Sequence, residues 1–313
     1  MQIITHIADA VALRPRAIIT VGVFDGVHAG HQHVLKQLVA RAGERGVVPV
    51  VVTFCNHPLE VVSSGNRKAV LLNTVSERLA LLEQYGAECC VLLTFNDAMM
   101  HSDAGEFLDE MQRYVNVEGV LLGFNNRFGR VDGVSVEEAA SKRGITFERC
   151  SKVKMDGVDV SSSQIRRVLM EGNIAEANRM LGRPYMLKGI VAHGRHIGHT
   201  IGFPTANLVP VDDTMLIPHN GVYFGVAEAE SYPGTQFRAM INIGCNPTVT
   251  DGGKRSIEVH LTDAGDDLDL YSKSLTVKLL MYHRDEEKYA SLDALRHQLT
   301  LDCQACRNAI SLM

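Results

Sequence analysis

The sequence predicts two domains: a doubly wound α/β domain, then a small antiparallel β-barrel with a C-terminal helix. Three observations lead there. The length of 313 residues suits two domains better than one. The first half alternates short apolar, β-branched runs with helical patterns. The last third breaks into short strand candidates separated by Gly, Pro, Asn and Asp.

In the first half, residues 17–23 (AIITVGV), 48–54, 90–95 and 119–123 are apolar runs bounded by turn signals. Strands buried on both faces of a parallel sheet read this way. Helix candidates lie between them. The first, 31–42, ends near Gly43; the second, 74–85, opens on a Thr74/Glu77 capping box and stops at Gly86. The others span 103–114 and 135–143. Such alternation predicts a doubly wound sheet, with its ligand at the C-terminal ends of the strands. Two short helices, 162–171 and 174–181, come next, before Gly182-Arg183-Pro184 breaks the pattern. The boundary is therefore placed after residue 183, giving domains 1–183 and 184–313. Strand candidates 187–193, 221–229, 238–243, 256–261 and 274–282 have the spacing of a small barrel. A helix from about residue 291 to 311 closes the chain.

Composition narrows the partners. A net charge of -5, with 46% hydrophobic and 21% charged residues, is ordinary for a globular protein. The absence of overall basicity predicts no nucleic-acid partner and no anionic membrane partner. The N-terminus lacks a basic segment followed by a long apolar one, so no signal peptide is expected. No run approaches the ~18 apolar residues of a spanning helix. Seven cysteines, an odd number, do not suggest a disulfide framework and point to a reducing cytoplasm.

The segment 20–33 (TVGVFDGVHAGHQH) carries a strand end, a turn at Phe24-Asp25-Gly26, and His28-Ala29-Gly30-His31 entering a helix. A helix N-terminus offers free amides and partial positive charge to a phosphate. Gly26 and Gly30 let backbone approach a ligand. His28 and His31, three apart, lean to one side of the first turn and can stabilise charge developing on phosphate oxygens. Gly22, Phe24, Asp25, Gly26, His28, Gly30 and His31 together resemble the signature of the nucleotidyltransferase superfamily. That resemblance implies that the His-x-Gly-His pair contacts ATP phosphates and that no covalent nucleophile is used. Residues 160–166 (VSSSQIR) resemble the superfamily's Ser-Ser-Thr-x-x-Arg element, with Ser161, Ser162 and Ser163 facing phosphates and Arg166 neutralising them. Read alone, the same stretch is a helix cap followed by a solvated arginine. Residues 123–129 (GFNNRFG) and 54–58 (FCNHP) resemble two stretches of bacterial FAD synthetases, which implies Asn125 and His57 as flavin contacts. Cys55 and Asn56 stand where Asp and Pro are usual, and Asn126 where an aromatic residue or histidine is common.

The segment 187–208 (LKGIVAHGRHIGHTIGFPTANL) contains a second constellation. Gly194, Gly198 and Gly202 supply a flexible loop whose amides can wrap phosphates, and Pro204 stiffens the start of the next element. Thr205 and Asn207 alternate in strand fashion, so their oxygens share a face and suit Mg²⁺. Pro204-Thr205-Ala206-Asn207 resembles the magnesium- and nucleotide-binding element of riboflavin kinases. The family's later motifs appear in order: 221–223 (GVY), 242–248 (NIGCNPT), 258–261 (EVHL), 269–271 (DLY), and Arg284 with Glu286. The resemblance implies Glu258 as general base. His199 stands where that family usually has Arg.

As a whole the chain resembles the bifunctional bacterial riboflavin kinase/FMN adenylyltransferases. Riboflavin, FMN and ATP are then the expected substrates, FAD the product, and Mg²⁺ the cofactor. Two alternatives stay open: only one half active, with the adenylyltransferase impaired, or a flavin-binding regulator with inactive sites. Cys303 and Cys306 lack a second Cys/His pair at metal spacing and read as half-buried thiols. The mixed-sign run 284–288 reads most simply as a solvated turn.

Overall fold

A computed structural model of the chain describes residues 1–6, 14–66, 68–124, 126, 128–129, 133–193, 201–245, 255–265 and 268–310. The chain divides into two compact units, Met1–Ser162 and Ser163–Met313.

The first unit is a six-stranded parallel sheet in the order β1-β4-β3-β2-β5-β6. Its strands are β1 (Gln2–Ile4), β2 (Arg16–Val21), β3 (Val48–Phe54), β4 (Cys89–Leu93), β5 (Asn116–Leu122) and β6 (Thr146–Arg149). The central strands form where valine and isoleucine run continuously, because helices cover both faces and both sets of alternating side chains are buried. Among the described residues this unit has helices α1 (Ala29–Arg45), α2 (Pro58–Val62), α3 (Val75–Gln84), α4 (Asp97–His101), α5 (Ala104–Met111) and α6 (Val136–Ser141). Helix α1 starts at an N-cap His28 and ends on Gly46 in the left-handed conformation. The Thr74/Glu77 capping box opens α3 as expected, and a second box, Asp103/Glu106, opens α5. The strand order switches at β2 and β5: the chain adds β3 and β4 on one side of β2 and β5 and β6 on the other. A crevice outside the carboxyl ends of these strands is where such sheets bind ligands. A two-residue turn at Asp156-Gly157, both with positive φ, joins the short hairpin β7 (Lys154–Met155) and β8 (Val158–Asp159).

The second unit is a closed antiparallel barrel in the order β10-β13-β12-β11-β14-β9. Its strands are β9 (Tyr185–Ala192), β10 (Ala206–Pro210), β11 (Gly221–Ala229), β12 (Phe237–Cys245), β13 (Arg255–Leu261) and β14 (Ser274–Arg284). On β11 both faces are buried, for different reasons. Val222, Phe224 and Val226 join Met240 under Cys303, Cys306 and Ile310 of the C-terminal segment, while the alternate residues Tyr223 and Ala227 face the other way. That segment is helix α9 (Leu292–Ala309), capped by Ser291. The short helices α7 (Ser162–Met170) and α8 (Ile174–Leu181) fall with the N-terminal domain by sequence pattern. Apart from Ser162 they count with the barrel by packing: Asn178 of α8 donates to Leu279 O (2.8 Å) and accepts from Tyr185 N (2.7 Å).

Candidate active sites

In the first unit, the turn between β2 and α1 is held at several points. Phe24 (φ 54°), Gly26 (φ 81°) and Val27 (φ 37°) all occupy the left-handed region, which costs energy for the two non-glycine residues. Leu72 N donates to the buried Asp25 Oδ1 (2.8 Å) and Gly26 N to Asn73 Oδ1 (2.9 Å). Ser162 Oγ donates to Asp25 O (2.8 Å) and Thr53 Oγ1 to Val23 O (3.1 Å). Asp25 is thus an anchor of the turn, and Ser162, the last residue of the first unit, also holds it. A Cβ on Gly22 would lie 3.0 Å from Asn126 Nδ2, and Asn126 in turn donates to Val21 O. Asn126 therefore fastens the loop after β5 to the end of β2.

The turn delivers His28 and His31. His28 Nδ1 accepts from His31 N (3.3 Å), which caps α1 and leaves the ring proton on Nε2. The two rings stack at 3.7 Å and 17°, with Phe24 5.0 Å from His31. A Cβ on Gly30 would sit 3.1 Å from the His28 ring, so glycine there makes room for the stack. His31 Nδ1 is buried with no hydrogen-bond partner among the described residues. Burial of its ring, with smaller contributions from His28 and Arg78, holds His31 well below the usual imidazole range. The ring is neutral at neutral pH: it can offer hydrogen bonds without carrying charge.

The other expected residues are more dispersed. Ser161 immediately precedes α7, and Ser163 and Arg166 belong to the second unit. His57 caps α2 by accepting from Leu59 N (3.1 Å). Asn125, Gly194 and Gly198 lie outside the described residues. The unusual Asn56 extends the β3/β4 ladder by one rung, donating to Phe95 O (2.9 Å) and accepting from Phe95 N (2.8 Å). Three residues at this end escape the sequence reading. Arg149 Nη1 donates to the carbonyls of Gly123, Phe124 and Asn126 (3.0, 3.2 and 2.7 Å) and so gathers three carbonyls after β5. Phe124 is half exposed beneath Lys152, whose Nζ lies 5.2 Å from the ring centre. Arg78 is buried inside α3; a cation on the apolar face of an amphipathic helix is the signal that could have found it.

In the second unit, cross-strand register sets the candidate kinase site. Asn207 of β10 lies directly opposite Glu258 of β13, and Glu258 opposite Asn242 of β12. Opposed residues share a face, so an amide, a carboxylate and a second amide form one lateral row. The row continues through Val222 to Arg284. It lies on the outer face that α9 covers elsewhere, since Met240 and Val222 belong to the cluster under that helix. Asn242 Nδ2 donates to Glu286 Oε1 (3.2 Å), and Gly244 leaves the space that Glu286 fills. His260, two residues beyond Glu258, donates through Nδ1 to Pro204 O (2.8 Å) and so fixes the entry to Thr205 and Asn207. Burial lowers the His260 pKa, which the Pro204 bond opposes and the Arg307 charge reinforces. Gly202, with φ 83°, sits two residues before Pro204.

The run 284–288 is not simply a solvated turn. Arg284 bonds Asp302 of α9 through Nε (3.1 Å) and Nη2 (2.6 Å). The thiols of Cys303 and Cys306 are buried, and burial pushes Cys306 up to about 12. Among the described residues no three His, Cys, Asp or Glu side chains gather as a metal cage. Asn207 brings an amide oxygen opposite the Glu258 carboxylate, and Thr205, two residues before it in the chain, adds a hydroxyl; such hard oxygens fit a cation whose remaining ligands are phosphate oxygens and water.

A doubly wound unit with a histidine pair at a helix N-terminus, followed by a barrel with a carboxylate between two amides, suits a transferase that acts on phosphate groups. Known proteins agree. The FAD synthetase family matches residues 11–164 and the Riboflavin kinase family matches residues 181–310. The bifunctional riboflavin kinase/FMN adenylyltransferase of Pseudomonas fluorescens is 36% identical over 94% of this chain and 94% of its own. Its counterpart in Escherichia coli is 32% identical over 94% and 93%. A crystal structure described as a macrolide-efflux protein from Streptococcus pneumoniae superimposes with TM-score 0.87 at 30% identity, covering 98% of this chain and 99% of that one. No described helix of this chain is long and apolar enough to cross a membrane. The chain belongs to the bifunctional riboflavin kinase/FMN adenylyltransferase family. It is a transferase of flavin cofactor biosynthesis, with the ATP-using kinase and adenylyltransferase domains of that family.

Proposed function

We propose that the barrel phosphorylates riboflavin at the Asn207–Glu258–Asn242 row and that the histidine pair of the N-terminal unit adenylylates the resulting FMN. The observation that carries the first half is the register placing Glu258 between two amides on one face. Glu258 takes the proton from the ribityl 5′-hydroxyl as that oxygen attacks the γ-phosphorus of ATP, and ADP leaves. Thr205 and Asn207 hold the nucleotide with Mg²⁺, which neutralises phosphate charge when bound. Gly194, Gly198, Gly202 and Pro204 serve ATP binding. Little else is required, since phosphoryl transfer depends mainly on positioning and charge neutralisation.

In the second reaction an FMN phosphate oxygen attacks the α-phosphorus of ATP. The α–β bridging bond breaks and pyrophosphate departs. His28 and His31 donate hydrogen bonds to the charge that develops, as neutral rings, with the amides of the α1 N-terminus beside them. Ser161, Ser162, Ser163 and Arg166 serve the triphosphate; Asn125 and His57 serve the flavin. The functional division at 1–183 and 184–313 is supported by family matches that end at 164 and begin at 181. Free thiols at Cys55, Cys89, Cys90, Cys150, Cys303 and Cys306 suit a reducing cytoplasm. Two intact sites, and not a flavin-binding regulator or a single active half, is the reading that both family matches favour.

The test is Glu258→Gln in the full chain, supplied with ATP, Mg²⁺ and either riboflavin or FMN, with products separated by chromatography. FMN formation is expected to fall at least about 100-fold, as loss of a positioned general base does, while FAD formation from FMN stays within about twofold. Equal loss of both activities in a folded variant overturns the two-site assignment.

A further inference from the structure

We propose that Arg78 is a positioning residue for FMN adenylylation: its guanidinium locks the ends of β2 and β3 together beneath the turn that presents His28 and His31. This rests on the reading that those two histidines carry the adenylyl transfer.

The starting point is a residue out of place for packing. Arg78, Leu81 and Leu82 are the buried positions of α3, one apolar stripe at i, i+3, i+4 spacing. Leu81 and Leu82 enter the core cluster that contains Phe24, Val34 and Leu35. An apolar side chain at position 78 would extend that stripe. Arginine is there instead, only 5% exposed. A buried cation is expensive, and replacing buried ionic groups by apolar ones is often neutral or stabilising. Core stability alone does not account for it.

What the guanidinium touches does. Nη1 donates to Val23 O (2.7 Å) and Nη2 to Phe54 O (2.5 Å). These are the carbonyls just past β2 and at the end of β3, adjacent strands at the carboxyl edge of the sheet. Arg78 therefore bridges two strands at the carboxyl edge, one of which, β2, borders the β2/β5 switch point where a ligand crevice is expected. Its third nitrogen, Nε, is buried with no partner among the described residues. Val23 is followed directly by Phe24, the first of the left-handed residues of the turn. Such a conformation persists only where its surroundings over-determine it. Leu72, Asn73 and Arg78 all reach this turn from one short stretch of chain, on Asp25, Gly26 and Val23 respectively. The turn ends in the stacked histidine rings, and the Arg78 charge is felt at both Asp25 and His31. A shift of the Val23 carbonyl would propagate through Phe24, which packs on His31, to the rings themselves.

The test compares Arg78→Gln and Arg78→Lys in the full chain, with His31→Asn as reference. Steady-state FMN adenylylation is measured against ATP and FMN, riboflavin phosphorylation on the same preparations, and folding by circular dichroism. In Arg78→Gln, kcat for FAD formation is expected to fall about 30- to 100-fold with both KM values within about threefold, because misplacement of about an ångström acts on the transition state more than on binding. Riboflavin phosphorylation stays within about twofold. Arg78→Lys, which keeps the charge but not the planar fork that reaches both carbonyls, regains about tenfold of the loss. Near-normal kcat in Arg78→Gln overturns the proposal. So does a loss that merely tracks the folded fraction, failure of both variants to fold, or a lysine variant no better than glutamine. If His31→Asn keeps full FAD synthesis, it is the histidine assignment that fails, whatever Arg78 does.

Discussion

At the scale of single residues, His31 joins stability to protonation. Its ring is enclosed by Phe24 and His28, and burial holds it neutral well below the usual imidazole range. An imidazole in the unfolded chain titrates near ~6.5. Between that value and the lower folded one, the unfolded state binds the extra proton, so stability rises with pH across the interval. The stabilisation is complete above the unfolded pKa and is lost as pH falls toward the folded one. One proton contributes a slope of at most about 1.4 kcal/mol per pH unit. Urea unfolding of the chain, monitored by circular dichroism from pH 7.5 to 5.5, should show the N-terminal transition weakening as pH drops. In His31→Asn, which cannot take up the proton, that dependence flattens. An unchanged slope would mean that His31 is not the group responsible.

At the scale of elements, helix α9 packs on the barrel face that carries the proposed kinase row and is tied to β14 through Asp302. Asp302 of α9 is 1% exposed and accepts from Arg284, His283 (3.1 Å) and Gln298 (2.8 Å). Burial alone would raise this carboxyl, but the bonds from Arg284, Gln298 and His283 outweigh it and hold it below the usual carboxylate range. Its contribution is present above the unfolded pKa near ~3.9 and is lost as pH falls through the lower folded value. Asp302→Asn leaves the Arg284 cation facing a neutral amide. Its expected cost is about 3 kcal/mol in the barrel's urea transition, with riboflavin phosphorylation reduced because β14 also carries the chain toward Glu286. A destabilisation under about 0.5 kcal/mol would show that other contacts hold α9. This ion pair also marks what could be read from sequence and what could not. β2, β3, β4 and β5 were legible because helices bury both their faces, leaving short runs that are mostly apolar. β1 and β6 were missed: an edge strand three residues long and a half-exposed TFER carry no such run. β10 was foreshadowed only by the strand-like alternation of Thr205 and Asn207. His28, His31 and Asn207 drew attention through local spacing, and Glu258 only through the resemblance to riboflavin kinases. Arg78, Arg149 and Asp302 were not, since an ionic side chain discloses its role only once tertiary packing supplies its partners, here carbonyls 24 and 55 positions away for Arg78.

At the scale of the whole molecule, the question is whether the two reactions need one chain. Each unit has a core of its own: two clusters flank the parallel sheet, and a separate one lies beneath α9. Damage confined to Glu258 therefore leaves the histidine pair and its turn intact, and damage confined to His31 leaves the Asn207–Glu258–Asn242 row intact. FMN is the product of one site and the substrate of the other, and its free form is a competent intermediate if the adenylyltransferase accepts it from solution. Equimolar Glu258→Gln and His31→Asn chains, mixed with riboflavin, ATP and Mg²⁺, should then make FAD although neither does so alone. FAD should appear after a lag while FMN accumulates, and added FMN should abolish the lag. Timed chromatography of riboflavin, FMN and FAD tracks all three species. Accumulation of FMN without FAD in the mixture, from chains that each keep their remaining activity, would show that FMN must reach the second site within the chain that made it.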